Sequence, residues 1–314
     1  MSSYDAEGLA DLLPFPQANA HKYSRGRLML VAGSRPYPGA ACLAAGAGQR
    51  MGAGYVEVFT HPENVSKLQA YRPSLVVRDW NALLARETLE TAREGRPCAY
   101  LVGSGFDATD SESAHLLLHV LKHAEAPVLI DGGAIAGLIG TAARTQCRSR
   151  HERGLVTVIT PHSGEAAVIG RPLGLSGLPQ VDYAEELAWE YGSIVVLKGP
   201  NTVISDGERS FAMTEGTAAL AKAGTGDVLA GMIAALLAQG VDAVDACVLG
   251  ATLHARAGVA AAMELTDICV TPEDVVDKIP AAIRQTMERS LEAARAREAR
   301  EAAEVAETVE SAEA

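Results

Sequence analysis

Six short apolar runs recur along the chain: LMLVAG (28–33), YVEVFT (55–60), AYLVGSG (99–105), PVLIDGG (127–133), VTVITP (156–161) and SIVVLKG (193–199). Between many of them lie Ala/Leu-rich segments with helical spacing, such as GAACLAAGAGQRM (39–51) and ESAHLLLHVLKHA (112–124). Strands alternating with helices predict βαβ units around a mostly parallel sheet covered on both faces. Several of these runs end in Gly, Ser, Thr or Asp. In open α/β sheets the carboxyl edge of the strands is where ligands bind. At 314 residues the chain suits either one large α/β domain or two average ones, and its 48% hydrophobic but only 4% aromatic composition favours the first.

Charge narrows the partners. A formal net charge of −12 argues against nucleic acid and anionic membranes, both of which need clustered Lys and Arg. Any phosphate must be bound through local geometry. The five cysteines (Cys42, Cys98, Cys147, Cys247, Cys269) form no C-x-x-C pair and no zinc spacing, a pattern of reduced thiols in a cytosol. The N-terminus MSSYDAEGLADLLPFPQ has no secretory pattern, and no run approaches the roughly 18 apolar residues of a membrane span. A cytoplasmic protein is expected, with residues 1–19 as an N-terminal extension, 20–287 as the functional domain and 288–314 as a tail. That tail holds eight Glu, four Arg and nine Ala and reads as an exposed helix or a disordered segment, with an interaction arm as the alternative.

No G-x-x-x-x-G-K-[ST] occurs, which excludes a P-loop. AGAGQRMGAG (45–54) resembles a dinucleotide fingerprint, but it follows a helical segment and leads into a strand, so it reads as a helix stop and a tight turn. His115, His119 and His123 share one helix at spacing i, i+4, i+8. Adjacent members could share a metal, yet the segment reads as an amphipathic helix with its polar stripe outward.

AKAGTGDVLAG (221–231) is harder to set aside. Glycines let backbone N–H groups converge on one space, and a helix start adds its positive dipole end, which together make an anion site. Asp227 brings a negative charge to that place. It serves either as a helix cap or as a group with chemistry to do beside a bound phosphate. Four further segments lie at strand ends or helix starts: SRPYPGAACLAAGAG (34–48), VGSGFDAT (102–109), ITPHSGEA (159–166) with His162 and Glu165, and the hairpin-like VVLKGPNTVI (195–204). Taken singly each is an ordinary turn, cap or hairpin. Together with AKAGTGDVLAG they gather around one crevice.

The order of GSRPYPGAACLAAGAG, GSGFDAT, LIDGGAI, ITPHSGEA, VVLKGPNTVI and ALAKAGTGDVLAGMIAALLAQG resembles that of the ADP- or ATP-dependent NAD(P)H-hydrate dehydratases over roughly residues 20–285. The resemblance implies a three-layer α/β/α ribokinase-like fold with a central, mostly parallel sheet. It also implies a lyase of metabolite repair, which dehydrates the S-epimer of hydrated NADH or NADPH by phosphorylating the ring hydroxyl and losing phosphate, with release of AMP when ADP is the donor. In that reading Asp227 takes the hydroxyl proton, and the N–H groups of Gly224, Thr225 and Gly226 stabilise the transferred phosphoryl. Lys198, Gly199, Pro200, Asn201, Thr202 and Gly226 match the nucleotide side. Ala40, Ala41, Gly105, His162 and Asp227 match the hydrated-dinucleotide side. Mg²⁺ with unassigned ligands, ADP in preference to ATP, a homotetramer and a separate epimerase acting alongside complete what the family implies.

Two departures stand out. Gly133 in LIDGGAI replaces a second acidic residue frequent in relatives, and TEGTAALAK places Glu215 and Thr217 where the family frequently shows Asn-rich sequence. Two other readings compete: a ribokinase-like kinase for a vitamin-precursor alcohol, which shares the GTGD loop but not TPHSGE or the PGAA helix start, and a non-catalytic adenine-nucleotide sensor, which predicts a missing or blocked Asp227.

Overall fold

The computed structural model describes residues 4–313; the first three residues of the expected N-terminal extension and the last of the tail lie outside the described residues. Among the described residues nine strands form one sheet: β1 (Arg27–Val31), β2 (Tyr55–Thr60), β3 (Val76–Asp79), β4 (Cys98–Val102), β5 (Val128–Ile130), β6 (Thr157–Ile159), β7 (Ile194–Leu197), β8 (Thr202–Ser205) and β9 (Ser210–Met213). Their order is β3-β2-β1-β4-β5-β6-β7-β8-β9. Pairing is parallel from β3 through β7, and β8 and β9 add an antiparallel edge. The helices are α1 (Ala6–Asp11), α2 (Pro38–Arg50), α3 (Val65–Tyr71), α4 (Asn81–Leu84), α5 (Ser111–His123), α6 (Gly133–Ala136), α7 (Thr141–Glu152), α8 (Ser163–Gly170), α9 (Gln180–Tyr191), α10 (Thr225–Ala238), α11 (Ala243–Cys269) and α12 (Pro272–Glu313).

Alternation along the strands builds a core on each face of the sheet, because successive side chains point to opposite sides. Leu28 and Leu30 of β1 join Ala99 and Leu101 of β4 under α2, α10 and α11. Met29, Val31, Tyr100 and Val102 face the other way, toward α5, α7 and α9. The result is the three-layer sandwich expected. β1 lies inside the sheet, with β2 on one side and β4 on the other. The chain leaves β1 in one direction and returns in the other, which opens a crevice at the strands' carboxyl ends.

Small residues set how closely the layers approach. A Cβ at Gly231 of α10 would lie 2.2 Å from the Ala44 carbonyl of α2. Gly46 and Gly48 do similar work inside α2, where a Cβ at Gly48 would meet Leu28 at 2.5 Å. The stretch AGAGQRMGAG stops the helix and turns as expected: α2 ends at Arg50, and Gly52 takes φ 97° before β2. On the opposite face the buried Arg150 guanidinium donates to Thr157 Oγ1 and to the carbonyls of Ala124, Ala126 and Val156.

Three further points differ from or refine the expectations. α11 is long and apolar enough to cross a membrane by length and composition, with mean hydropathy 1.3, yet 78% of that window is buried inside the protein. Its apolar character is that of a core helix. His119 does not face outward: its Nε2 is buried, and its ring lies 4.8 Å from that of His123. Residues 288–313 continue α12 as helix, and the N-terminal segment docks on the body, with Leu9 and Leu13 buried and the Tyr4 ring stacked on Phe211.

Candidate active site

The carboxyl ends of β1, β4, β5, β6 and β7 converge with the start of α10. Just past β4, Gly103 and Gly105 take φ values of 114° and 70°, a region glycine enters without a Cβ penalty. That conformation brings Gly105 against the start of α2, where a Cβ on it would lie 2.7 Å from Ala40 Cβ. Gly33 stands in the same relation to Ala41, at 2.9 Å. Ala40, Ala41 and Gly105, the residues expected on the dinucleotide side, therefore form one continuous small-residue wall. Ser34 holds it, its N–H and Oγ both donating to the Gly105 carbonyl at 2.8 and 2.7 Å.

Past β6, His162 caps α8. Its Nδ1 accepts from the N–H groups of Gly164 and Glu165 at 3.0 and 3.3 Å, while Glu165 returns a bond to the His162 N–H at 2.8 Å. This reciprocal capping box fixes the imidazole at the crevice edge with its side chain 60% exposed. Past β7, the hairpin turn expected for 198–202 is present, with Gly199, Pro200 and Asn201 exposed and Thr202 opening β8. The Asn201 carbonyl accepts from Gln180 at 2.8 Å, which anchors the turn to α9.

Lys198 points back into the crevice. Its ammonium donates to Asp131 Oδ1 at 3.0 Å and lies 3.9 Å from Glu165 Oε2. Burial alone would pull the ammonium pKa down, but Asp131 and Glu165 outweigh it and hold the group charged. A Cβ at Gly226 would sit 3.4 Å from Lys198 Nζ, so the ammonium rests directly against the glycine loop. Gly224 opens α10 at φ 100° with no side-chain cap bond. The Thr225 N–H is already used by the Lys222 carbonyl at 3.3 Å, which places the open end of the loop at its glycines.

Asp227 is the third residue of α10 and accepts no capping bond. The helix-cap alternative is thereby set aside. Nor is the carboxylate alone: Ser104, Asp131, Lys198 and Glu165 surround it. Its pKa is pushed up to about 7, first by burial and then by the Asp131 charge, against the opposing pull of Ser104 and Lys198. Burial likewise raises Glu165. A carboxylate held near neutrality beside a lysine and a helix start is suited to take and return a proton.

The sequence reading passed over Asp131, Ser104 and Thr160. Asp131 is 2% exposed and accepts from Thr160 Oγ1 at 2.7 Å and Ser104 Oγ at 3.1 Å in addition to Lys198. The available signal was an Asp ending the β-rich run LIDGG at the ligand edge. The Gly133 departure has a steric reason, because a Cβ there would lie 2.2 Å from the Phe106 carbonyl. Glu215 is held by Arg256 at 2.8 Å and Arg289 at 3.3 Å, and Thr217 bonds to Asp267, so both departures in that loop are tied to α11 and α12.

A parallel sheet with an antiparallel edge, a glycine-rich helix start carrying an aspartate, and a lysine beside it define a ribokinase-like fold. The chain belongs to the NAD(P)H-hydrate dehydratase family, whose model matches residues 28–281. It is 34% identical over 260 residues to the bifunctional NAD(P)H-hydrate repair enzyme of Vibrio cholerae, covering 81% of this chain and 49% of that one. It thus spans about half the length of such bifunctional relatives. The ADP-dependent (S)-NAD(P)H-hydrate dehydratase of Xanthomonas campestris is 27% identical over 278 residues, covering 86% of this chain and 92% of that one. The crystal structure of the Bacillus subtilis ADP/ATP-dependent NAD(P)H-hydrate dehydratase, co-crystallised with ATP and Mg²⁺, superposes with a TM-score of 0.77 at 28% identity, covering 90% of this chain and 97% of that one.

Proposed function

We propose that this chain is an ADP-dependent lyase that restores NADH or NADPH from its S-hydrate. The observation that carries the reading is Asp227, a half-buried carboxylate held near neutrality at the glycine-rich start of α10, with the Lys198 ammonium beside Gly226. In the first step Asp227 takes the proton of the ring hydroxyl, whose oxygen attacks the terminal phosphorus of the donor. The bond from that phosphorus to the bridging oxygen breaks, and AMP leaves when ADP is the donor. Gly224 and Gly226 present backbone N–H groups to the charge on the moving phosphoryl, a role for fixed dipoles at a site that excludes water. Lys198 with the 199–202 turn holds the nucleotide. Ala40, Ala41, Gly105 and His162 border the dinucleotide. Phosphate, unlike hydroxide, is a good leaving group: it departs with the C–O electron pair, the neighbouring ring carbon gives up a proton to the released phosphate or to water, and that C–H electron pair restores the ring double bond.

Among the described residues no group of three or more His, Cys, Asp or Glu side chains is arranged to hold a metal ion. Mg²⁺ enters this reading as the counter-ion of the nucleotide's phosphates, the mode usual for that ion. The same reading carries a homotetramer, a separate epimerase and a cytoplasmic setting, the last supported by five cysteines that are all free thiols. The residue boundaries 20–287 mark the catalytic unit in this account.

The nucleotide products test the reading. With hydrated NADH and ADP, AMP and phosphate form in equal amounts with restored NADH. Accumulation of a stable phosphorylated alcohol instead would identify a kinase.

A further inference from the structure

The Ser104–Asp131 pair lies beneath Asp227, and the steps above do not use it. Ser104 is fully buried. It is fixed between Gly103 and Gly105, and a Cβ at Gly103 would lie 2.1 Å from the Asp131 carbonyl. The Ser104 hydroxyl donates to Asp131 Oδ2 at 3.1 Å and lies near enough to Asp227 to favour its ionised form. A hydroxyl carries one proton and can donate to one carboxylate at a time. Asp131 has two other donors, Thr160 and Lys198, whereas Asp227 has no backbone cap.

We propose that Asp131 is a positioning residue for the reaction: it pins the Lys198 ammonium beside Gly226 and, through the Ser104 hydroxyl, holds the Asp227 carboxylate ready for the substrate's proton. The inference rests on the dehydratase reading above. When the substrate O–H breaks, its electron pair goes to phosphorus and its proton to Asp227. The new Asp227 O–H then donates to Ser104 Oγ, and the Ser104 proton turns to Asp131 Oδ2. Ser104 keeps its own proton throughout and Asp131 keeps its charge.

The charged groups facing Asp227 are Asp131 from the end of β5, Lys198 from the end of β7 and Glu165 from α8. From α11 the buried His254 packs at Thr225, and burial lowers its pKa to about 4, so it faces the loop as a neutral ring. Asp131 opposes ionisation of Asp227, while the Ser104 hydroxyl favours it. Removing each therefore moves the acid limb of activity in opposite directions.

The test is the pH profile of kcat with hydrated NADH and ADP. Asp131→Asn is expected to lower kcat roughly tenfold, the scale of one hydrogen bond to a charged group. It also displaces the acid limb to lower pH and raises the KM for ADP as Lys198 loses its anchor. Ser104→Ala displaces the limb to higher pH and leaves the KM for ADP unchanged. A limb that stays at the wild-type position in both variants overturns the proposal, because a merely structural role lowers activity without moving it. If Asp131→Asn does not fold, Ser104→Ala and Ser104→Cys decide by the same criterion. A wild-type enzyme silent with both ADP and ATP defeats the dehydratase reading itself, and an Asp227→Asn variant with wild-type turnover defeats the base assignment. The three failures are thus separable.

Discussion

The Lys198 ammonium lies 3.0 Å from Asp131 Oδ1 and beside Gly226, where a Cβ would stand 3.4 Å from it. This pair joins the end of β7 to the end of β5 across the crevice and presents a fixed cation to whatever binds at the start of α10. A cation there is worth most to a nucleotide's phosphates. Lys198→Ala is expected to weaken ADP binding by about ten- to a hundredfold, the scale of a charge-assisted hydrogen bond. Calorimetric titration measures it, and an unchanged Kd removes Lys198 from the phosphate site.

Asp227→Asn keeps the shape of the side chain and removes the proton acceptor. Turnover is expected to fall by roughly 10² or more, the scale of a lost general base, with ADP affinity preserved. Equilibrium binding beside single-turnover kinetics separates the two effects. A variant of near-normal turnover leaves Asp227 without a catalytic role.

The raised Asp227 pKa of about 7 sets the direction of two pH effects. Activity needs the ionised carboxylate, so kcat falls as pH drops through about 7. Stability runs the other way. The folded state binds this proton more tightly than the unfolded chain, where Asp titrates near 3.9, so the stability tied to the proton is full below about 4 and is lost as pH rises through the folded value. Asp227→Asn abolishes that loss. Its Tm is expected to exceed that of the wild type at pH 8, with the gap closing toward pH 4. Melting curves across that range give the answer, and a variant less stable than wild type at pH 8 contradicts it.

Much of the fold was legible because the inner strands β1, β4, β5 and β7 are buried on both faces and therefore read as apolar runs. The two edge strands were not. VVRD of β3 and SFAM of β9 are half-exposed on one side of their pairing, and neither run is long or alternating enough to announce itself. At the site, motif position disclosed Asp227 and Lys198. Asp131 and Ser104 stayed hidden because their importance lies in meeting across different strand ends, which spacing along the chain does not encode. The glycines of 45–54 carry a second role that spacing does not announce: Gly46 packs against Tyr71 of α3 and Gly48 against Leu28 of β1, while Gly52 makes the expected turn.

Gly231 offers a test of the scaffold apart from the chemistry. Its missing side chain lets α10 approach the Ala44 carbonyl of α2, and a Cβ would stand 2.2 Å away. Gly231→Ala is expected to destabilise the fold by about 1–3 kcal/mol, the scale of overpacking in a tight core. It should also disturb the α10 start that carries Asp227. Chemical denaturation measures the first effect, and wild-type stability would mean that the two helices separate freely.

The most direct measurement is the near-ultraviolet absorbance of reduced nicotinamide after the purified protein meets hydrated NADH, Mg²⁺ and either ADP or ATP. The hydrate lacks this absorbance. A nucleotide-dependent rise is expected, faster with ADP and slowed roughly 10²-fold or more by Asp227→Asn. A flat trace with both donors, on substrate that a known dehydratase restores, would contradict it and turn the assignment toward a kinase of the same fold.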